Sequence, residues 1–308
     1  MKLIDLHCDT IHGLMNERIS GNLKSNNGHV DIQKMQISES FIQMFAMFVD
    51  LEKTNTPYKT CKEMITFYNG EIMKNPEINA ITSRETIKMN GLNAMLSIEE
   101  GGVLEGDLRR LREFYLDGVR SLILVWNYEN QIGYPNIDYK YSQNGLKPFG
   151  FEVIDEMSEL GMLIDVSHLS DKGFWDVCNR VEKPFIASHS CSRTIQDNPR
   201  NLTDEMIRAL ANKGGVIGIN FFGMFVNGTM HSTIEGLIRH LKHIYNVGGE
   251  DVLAIGTDYD GLLGTTEIDD ISKMVQLRNA MRKNGFTESQ SEKVFSGNAY
   301  RVICDVLK

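Results

Sequence analysis

His7 and Asp9 close the first apolar run of this chain, Ile4-Asp5-Leu6-His7-Cys8-Asp9. Residues i and i+2 of a strand point to the same side, so an imidazole and a carboxylate delivered this way can grip one cation. A lone His-x-Asp arises often by chance. Four further runs of the same kind follow, each ending in a ligand-type residue: Ala94-Met95-Leu96-Ser97-Ile98-Glu99-Glu100, Met162-Leu163-Ile164-Asp165-Val166-Ser167-His168, Phe185-Ile186-Ala187-Ser188-His189 and Val252-Leu253-Ala254-Ile255-Gly256-Thr257-Asp258. Ligands gathered at the carboxyl ends of buried strands predict a catalytic metal site in a parallel α/β fold.

Three strand-end imidazoles with strand-end carboxylates are hard to explain as packing, because buried groups of this kind need paired charge or metal. His12, His29, His231, His240 and His243 end no strand and read as surface or packed residues. Glu99 and Glu100 point opposite ways if the strand persists, so only one faces the cations. Glu100 is the expected one, because it adjoins Gly101-Gly102, where bare backbone can approach the site. Asp258 reads either as an Asx-turn residue closing its strand or as the proton acceptor for a cation-activated water. The second reading is the expectation, and Asp260 suits the turn better.

The set His7, Asp9, Glu100, His168 and His189 suits two divalent ions bridged by Glu100 and a hydroxide. Imidazole with carboxylate suits zinc best, with manganese or cobalt as substitutes. Paired cations ~3.5–4 Å apart lower the pKa of a shared water and polarise a carbonyl, which is the chemistry of amide hydrolysis. Such attack needs no nucleophilic side chain, so Cys8 and Cys191 are not required for it. Arg200, in Asn198-Pro199-Arg200-Asn201, overhangs the mouth if its loop follows the strand ending at His189. A guanidinium there can clamp a substrate carboxylate in bidentate fashion.

Eight strands must position these groups. They are predicted at Leu3–His7, Ile42–Val49, Ala94–Glu100, Val119–Trp126, Leu163–His168, Phe185–His189, Val216–Phe221 and Leu253–Asp258. Most are nearly continuous in apolar residues, as strands buried on both faces are. Helical patterns lie between most of them: Lys62–Met73, Leu104–Tyr115, Phe151–Leu160, Asp171–Asn179, Thr203–Asn212 and Ile234–Tyr245. Thr203 is a suitable N-cap, and Gly214-Gly215 ends that helix. Eight strands with intervening helices predict an α/β fold, a (β/α)8 TIM barrel, formed by residues 1–308 as a single domain. An open doubly wound sheet would cluster its ligands near one switch point. Here they come from the first, third, fifth, sixth and eighth predicted strands. The polar segment Glu17–Gln33 is a long loop, Tyr128–Leu146 a candidate lid, and Glu288–Leu307 a terminal helical region at the barrel bottom or edge.

The composition excludes several alternatives. The chain has 308 residues, and no run reaches the ~18 apolar residues that cross a bilayer. Asp5 interrupts the first apolar run, unlike a secretory signal. The expectation is a cytoplasmic protein that starts at Met1. Five scattered cysteines without a Cys-x-x-Cys pair suit reduced thiols. A net charge of −9 argues against a nucleic-acid partner.

The ordered set of motifs resembles the membrane (renal) dipeptidase family, a branch of the metal-dependent amidohydrolase barrels. The likeness runs from His7-Cys8-Asp9 to Gly297-Asn298-Ala299-Tyr300-Arg301-Val302. It includes Ile98-Glu99-Glu100-Gly101-Gly102, Asp165-Val166-Ser167-His168, Ser188-His189-Ser190, Pro199-Arg200-Asn201 and Gly256-Thr257-Asp258-Tyr259-Asp260-Gly261. The resemblance implies that His7 and Asp9 hold one zinc, His168 and His189 the other, and that Glu100 bridges them. Asp258 then takes a proton from the bridging hydroxide, and Arg200 binds the terminal carboxylate of a dipeptide. It further implies tolerance of a D-residue at the C-terminal position and a homodimer, whereas the anchor and secretion signals of the animal enzymes are not expected for this chain. Two positions depart from the family pattern. Trp126 stands where members commonly have a histidine near the carbonyl under attack, and Val103 where many have one after the Gly-Gly. An indole N–H donates one hydrogen bond but carries no proton to substrate. Trp126 is therefore expected to narrow the mouth, with Asn127 as a compensating substrate contact. Two rival readings keep the same ligands. One is a barrel hydrolase acting on a non-peptide amide, lactone or ester. The other is a metal-binding homologue with weak catalysis.

Overall fold

The computed structural model describes residues 2–308. Its strands, in chain order, are β1 (Leu3–Cys8), β2 (Ser40–Phe48), β3 (Ile78–Ile81), β4 (Leu92–Glu99), β5 (Val119–Ile123), β6 (Leu163–Asp165), β7 (Ile186–Ser190), β8 (Val216–Ile219), β9 (His231–Ser232), β10 (Leu253–Ile255) and β11 (Thr265–Thr266). Every residue of β1, β4, β5 and β7 is buried, the polar ones among them included. The order β2-β1-β10-β8-β7-β6-β5-β4 is parallel throughout, and pairing of β2 with β4 closes it into a (β/α)8 barrel. Each of the eight predicted strands is a barrel strand. Of the three strands outside the barrel, β9 and β11 pair with each other, and β3 lies beside the first half of β4, with Ile78 opposite Leu92. Its four residues are too few, and half of them too exposed, to give a periodic signal.

Three barrel strands stop well before their predicted ends at the side that carries the candidate ligands, whereas β1 and β7 run one residue further than predicted. β5 ends at Ile123 rather than Trp126, β6 at Asp165 rather than His168, and β10 at Ile255 rather than Asp258. The reason is local: His168 and Asp258 take φ of 68° and 62°, which a strand ladder excludes. Close approach is built in at Gly218 and Gly256, where a Cβ would lie 1.8 and 1.7 Å from the Ser188 carbonyl oxygen.

The helices follow the expected caps. Thr203 accepts a hydrogen bond from the Met206 amide and opens the helix Asp204–Asn212, and Gly214 beyond it has φ 72°. The C-terminal helix Asn298–Val306 covers the bottom of the barrel. Asn298 donates to the carbonyl of Leu253, the first residue of β10, at 2.9 Å, and Arg301 donates to Gly214 and Asp251, just ahead of β8 and β10. No helix among the described residues is long and apolar enough to cross a membrane.

Two loops cover the opposite end. The segment 128–146 folds back over β6: the Asn136 amide donates to the His168 carbonyl at 2.8 Å, and Pro135 bridges to Leu169. The loop 17–33 is pinned by Asp260. Its carboxylate accepts from Thr10 Oγ1 at 2.6 Å and from the His29 amide at 2.6 Å, and it pairs with His29 Nδ1 at 2.9 Å. Arg18 donates to the Asp260 carbonyl. Burial opposes the Asp260 charge, yet the His29 contacts hold its carboxyl below the usual range. A carboxyl held low stabilises the fold above its unfolded pKa, and that contribution fades as pH falls through the folded value. Asp260→Ala is therefore expected to cost ~1–3 kcal/mol at neutral pH, with a deficit that shrinks below about pH 4. Urea denaturation at the two pH values checks this, and an equal deficit at both would remove the ionised carboxylate from the explanation.

Candidate metal centre

The ends of β1, β4, β6, β7 and β10 bring His7, Asp9, Glu99, His168, His189 and Asp258 into one buried cluster. His7 Nε2 lies 3.3 Å from Glu99 Oε2, 3.5 Å from Asp9 Oδ2 and 3.9 Å from Asp258 Oδ1. His168 Nε2 lies 3.2 Å from Glu99 Oε1 and 2.9 Å from His189 Nε2. Glu99 thus turns one oxygen toward the His7–Asp9 pair and the other toward the His168–His189 pair. Three overlapping triads, His7/Asp9/Glu99, Glu99/His168/His189 and His7/His189/Asp258, each have their donor atoms within 4.8 Å of one another.

This corrects the expectation for Glu100. Glu99 and Glu100 do part to opposite sides, but Glu99 is the one that faces the imidazoles. Its inward neighbour by strand parity is Ser97, and the ladder with β2 persists through Glu99, paired with Phe48. Glu100 leaves the strand with φ 102°. It accepts hydrogen bonds from the Gly102 amide (2.6 Å), the Trp126 amide (3.1 Å) and Asn130 Nδ2 (2.5 Å). The glycines serve close packing there, since a Cβ on Gly101 would sit 2.5 Å from the Leu124 carbonyl oxygen. Strand parity pointed to one glutamate of the pair, and adjacency to Gly-Gly selected the wrong one.

The cluster fits divalent cations by its own chemistry. His7 Nε2 and Asp9 Oδ1 are buried and have no hydrogen-bond partner among the described residues. His168 and His189 present ring nitrogens to each other, while each Nδ1 meets a different oxygen: Asn127 Oδ1 at 3.0 Å and Ser188 Oγ at 2.9 Å. Such outer partners fix the ring orientation and tautomer of ligating histidines. Burial opposes the His7 imidazolium, but the carboxylates of Glu99 and Asp9 outweigh it and hold His7 well above its usual range. Burial, with Arg200 and His7 nearby, holds His168 and His189 well below theirs. Those two rings are neutral at pH 7, the state that offers a lone pair. Burial also raises Glu99 to about 8 and Asp258 to about 6, against the pull of His7. His168, Asp258 and Glu100 all have positive φ, and strained backbone of this kind costs of order ~1–3 kcal/mol per residue and gathers at functional sites.

A cavity of about 300 Å³ opens above the cluster. Asp9, Glu99, His168, Asp258 and Arg200 lie on its floor, and Phe48, Trp126, Ile137, Phe222, Phe225 and Leu263 on its walls. Arg200 is fully buried, with Nε and Nη1 unpaired among the described residues. Its guanidinium lies over the Phe225 ring at 5.2 Å. Burial lowers Arg200 to about 10, so it stays charged at neutral pH. Trp126 packs on Phe48 at 4.6 Å and near His168 at 6.3 Å. Asn127 reaches the cavity, but its carbonyl oxygen is engaged with His168. Asp258 is steered by Asn220 Nδ2, 2.9 Å from its Oδ2. Asn220 directly follows β8 and carries the same strand-end signal as the ligands, but it is not ionisable and was not among the candidates. Ser188 and Asn130 escape a sequence reading for the same reason. Of the histidines set aside, His29 pairs with Asp260, His240 is buried between Ser192 and Val226, and His12 edges the cavity against Phe48. Cys8 and Cys191 are buried, and burial pushes both thiols up, Cys191 to about 12, which suits inert side chains.

A closed parallel barrel with this array at the carboxyl ends of its strands defines a metal-dependent hydrolase. The whole chain, residues 1–308, matches the profile of Membrane dipeptidase (Peptidase family M19), and the protein belongs to that metallopeptidase family. A Klebsiella pneumoniae protein, described as an uncharacterized protein in the pqqA 5′ region, is 34% identical over 217 residues, 68% of this chain and 80% of that one. An uncharacterized dipeptidase of Schizosaccharomyces pombe is 27% identical over 98% of this chain and 79% of its own. Among solved structures, a metallopeptidase from Rhodobacter sphaeroides, liganded with a phosphinate mimic of the dipeptide L-Ala-D-Ala, superposes with a TM-score of 0.91. The two are 23% identical and 99% of each chain is covered. The M19 dipeptidase AC gives 0.90 at 23% identity, over 100% of this chain and 99% of that one.

The two glutamates make separable predictions. Glu99→Ala should strip divalent metal from both halves of the cluster, whereas Glu100→Ala should leave uptake by the histidines in place. Elemental analysis after zinc dialysis decides this. Normal uptake by Glu99→Ala with loss in Glu100→Ala would reverse the assignment.

Proposed function

We propose that this protein hydrolyses dipeptides with two zinc ions, one held by His7 and Asp9, the other by His168 and His189, with Glu99 shared between them. The observation that carries the reading is the pairing, across one cavity, of that buried donor cluster with the unpaired guanidinium of Arg200. Zinc bound there supplies an acidified water and polarises the scissile carbonyl. The chain's own residues do the rest. Arg200 takes the C-terminal carboxylate through its free Nε and Nη1 donors and so sets the distance from the substrate's end to the bond that is cut. Asp258, oriented by Asn220, accepts the proton of the attacking water on Oδ1, the oxygen facing His7, and passes it to the leaving amine.

The walls refine the substrate. Phe48, Trp126, Ile137, Phe222, Phe225 and Leu263 present apolar surface, so the substrate is a short peptide with neutral, apolar side chains. Trp126 provides bulk and one N–H donor but no titrating group. Tolerance of a D-residue at the C-terminal position is part of this proposal, supported by the family motifs and by the L-Ala-D-Ala mimic bound to the Rhodobacter protein. All five cysteines are unpaired, which suits a reducing compartment such as the cytoplasm.

The test is a panel of dipeptides with L- and D-residues at the second position, assayed on zinc-loaded protein beside ester and lactone substrates. Dipeptide turnover is expected, and turnover confined to the esters or lactones overturns the reading. Two variants locate the roles. Asp258→Asn should keep its zinc and lose ~10²–10⁴ in kcat; near-normal turnover would put the proton transfer elsewhere. Arg200→Ala should lose ~1.5–3 kcal/mol of binding, seen as a higher KM, for free dipeptides. It should lose little for C-terminally amidated ones, and equal losses on both would show that Arg200 does not meet the carboxylate.

A further inference from the structure

We propose that Glu100 is a positioning residue: its buried carboxylate clamps the segment after β5 so that Asn127 sets the ring orientation and tautomer of His168. This rests on the proposed reading of His168 as a ligand and assigns a role to a carboxylate that the mechanism leaves unused.

Glu100 is completely buried, and the three donors that reach it are neutral: two backbone amides and the Asn130 side chain. Burying a carboxylate is costly unless hydrogen bonds satisfy it, and these three donors are what hold this one in place. The bonds are divided between its two oxygens. Oε2 takes the Trp126 amide at 3.1 Å, and Oε1 takes Asn130 Nδ2 at 2.5 Å and the Gly102 amide at 2.6 Å. Asn130 is itself saturated: Nδ2 also donates to the Leu124 carbonyl at 3.0 Å, and Oδ1 accepts from the Ile132 and Gly133 amides at 2.7 and 3.1 Å. The stretch 124–133 is therefore tied down on both sides of Asn127. That is the residue whose Oδ1 lies 3.0 Å from His168 Nδ1. An amide oxygen only accepts, so it keeps the proton on Nδ1 and leaves the Nε2 lone pair facing Glu99 and His189. The chain of contacts runs from Glu100 through the Trp126 backbone to Asn127 and His168. Its first member is the immediate neighbour of Glu99, so one strand end holds both the shared ligand and the clamp on its partner.

A glutamine at position 100 could serve the donors at Oε1 but would turn an NH2 group toward the Trp126 amide. It breaks one tie of the clamp while keeping shape and volume. The experiment compares wild type, Glu100→Gln, Asn127→Ala and the double variant. On zinc-free protein, 15N NMR of the histidine rings should show His168 as the Nδ1–H tautomer in wild type and a mixture in each variant. On zinc-loaded protein, each single variant should lose about 10–100-fold in kcat with KM changed less than about twofold, and the double should be no worse than the weaker single. Multiplying losses in the double, an unchanged tautomer in Glu100→Gln, or a lowered melting temperature with intact kcat would each overturn the proposal. So would loss of zinc uptake in Glu100→Gln, which would make Glu100 a ligand. If Glu100→Gln does not fold, Asn130→Ala cuts the other tie and must give the same tautomer mixture. A wild-type protein that cleaves no dipeptide overturns the functional reading instead, while the zinc-free tautomer measurement still decides this one.

Discussion

Burying His7, His168, His189, Asp9, Glu99 and Arg200 around one cavity, with Asp258 half-buried beside them, carries a desolvation cost that shapes the rest of the molecule. None of these groups could stay there alone. His7 is held charged by Glu99 and Asp9, while His168 and His189 are held neutral by burial and by the positive charges beside them. The array is complementary within itself but incomplete, because His7 Nε2 and Asp9 Oδ1 still lack hydrogen-bond partners among the described residues. A metal ion bound there would displace the His7 proton and meet that deficit with a charge that imidazole and carboxylate donors suit.

The barrel carries His7, Glu99 and His189 at the ends of its strands and stops two other strands just short of His168 and Asp258. β6 and β10 end at Asp165 and Ile255, and the chain then takes left-handed turns at His168 and Asp258 that aim side chains over the mouth. Such turns persist only when the surroundings over-determine them. Here the surroundings are hydrogen bonds below the mouth. Asp5 accepts from Thr257 and Gln43 across three strands, and Asp165 accepts from the Ser167 and Ser188 amides. The rigid layer of buried carboxylates beneath the site holds the turns above it.

Outer contacts then orient the side chains of the cluster. Asn127 meets His168, Ser188 meets His189 and Asn220 meets Asp258. Asp260 fastens the loop 17–33 beside the same mouth through His29 and Thr10. The apolar walls contributed by Phe48, Trp126, Phe222 and Phe225 come from a strand end, a loop and the short helix Gly223–Val226 on different sides of the ring, so the cavity's shape depends on barrel closure as much as the donors do.

The barrel and the strand ends that carry ionisable groups are readable along the chain. Apolar runs buried on both faces announce strands wherever they occur, and a ligand-type residue at the end of each needs no knowledge of its neighbours in space. That is why all eight strands, the C-terminal helical region, and the gathering of His7, Asp9, His168, His189, Arg200 and Asp258 at one end of the barrel are legible. Only the tertiary structure decided matters that turn on a single residue's direction. Glu99 and Glu100 are adjacent and chemically alike, and strand parity separates them only once the last ladder pair, Glu99 with Phe48, is known. Asn127, Asn130, Ser188 and Asn220 carry no signal of type, because amides and hydroxyls are common at strand ends and acquire meaning from the partner they meet. β3 was missed because pairing with β4, rather than any pattern of its own, makes four residues a strand. Residue type and periodicity are written along the chain, whereas direction and partnership exist only after the strands close into a ring.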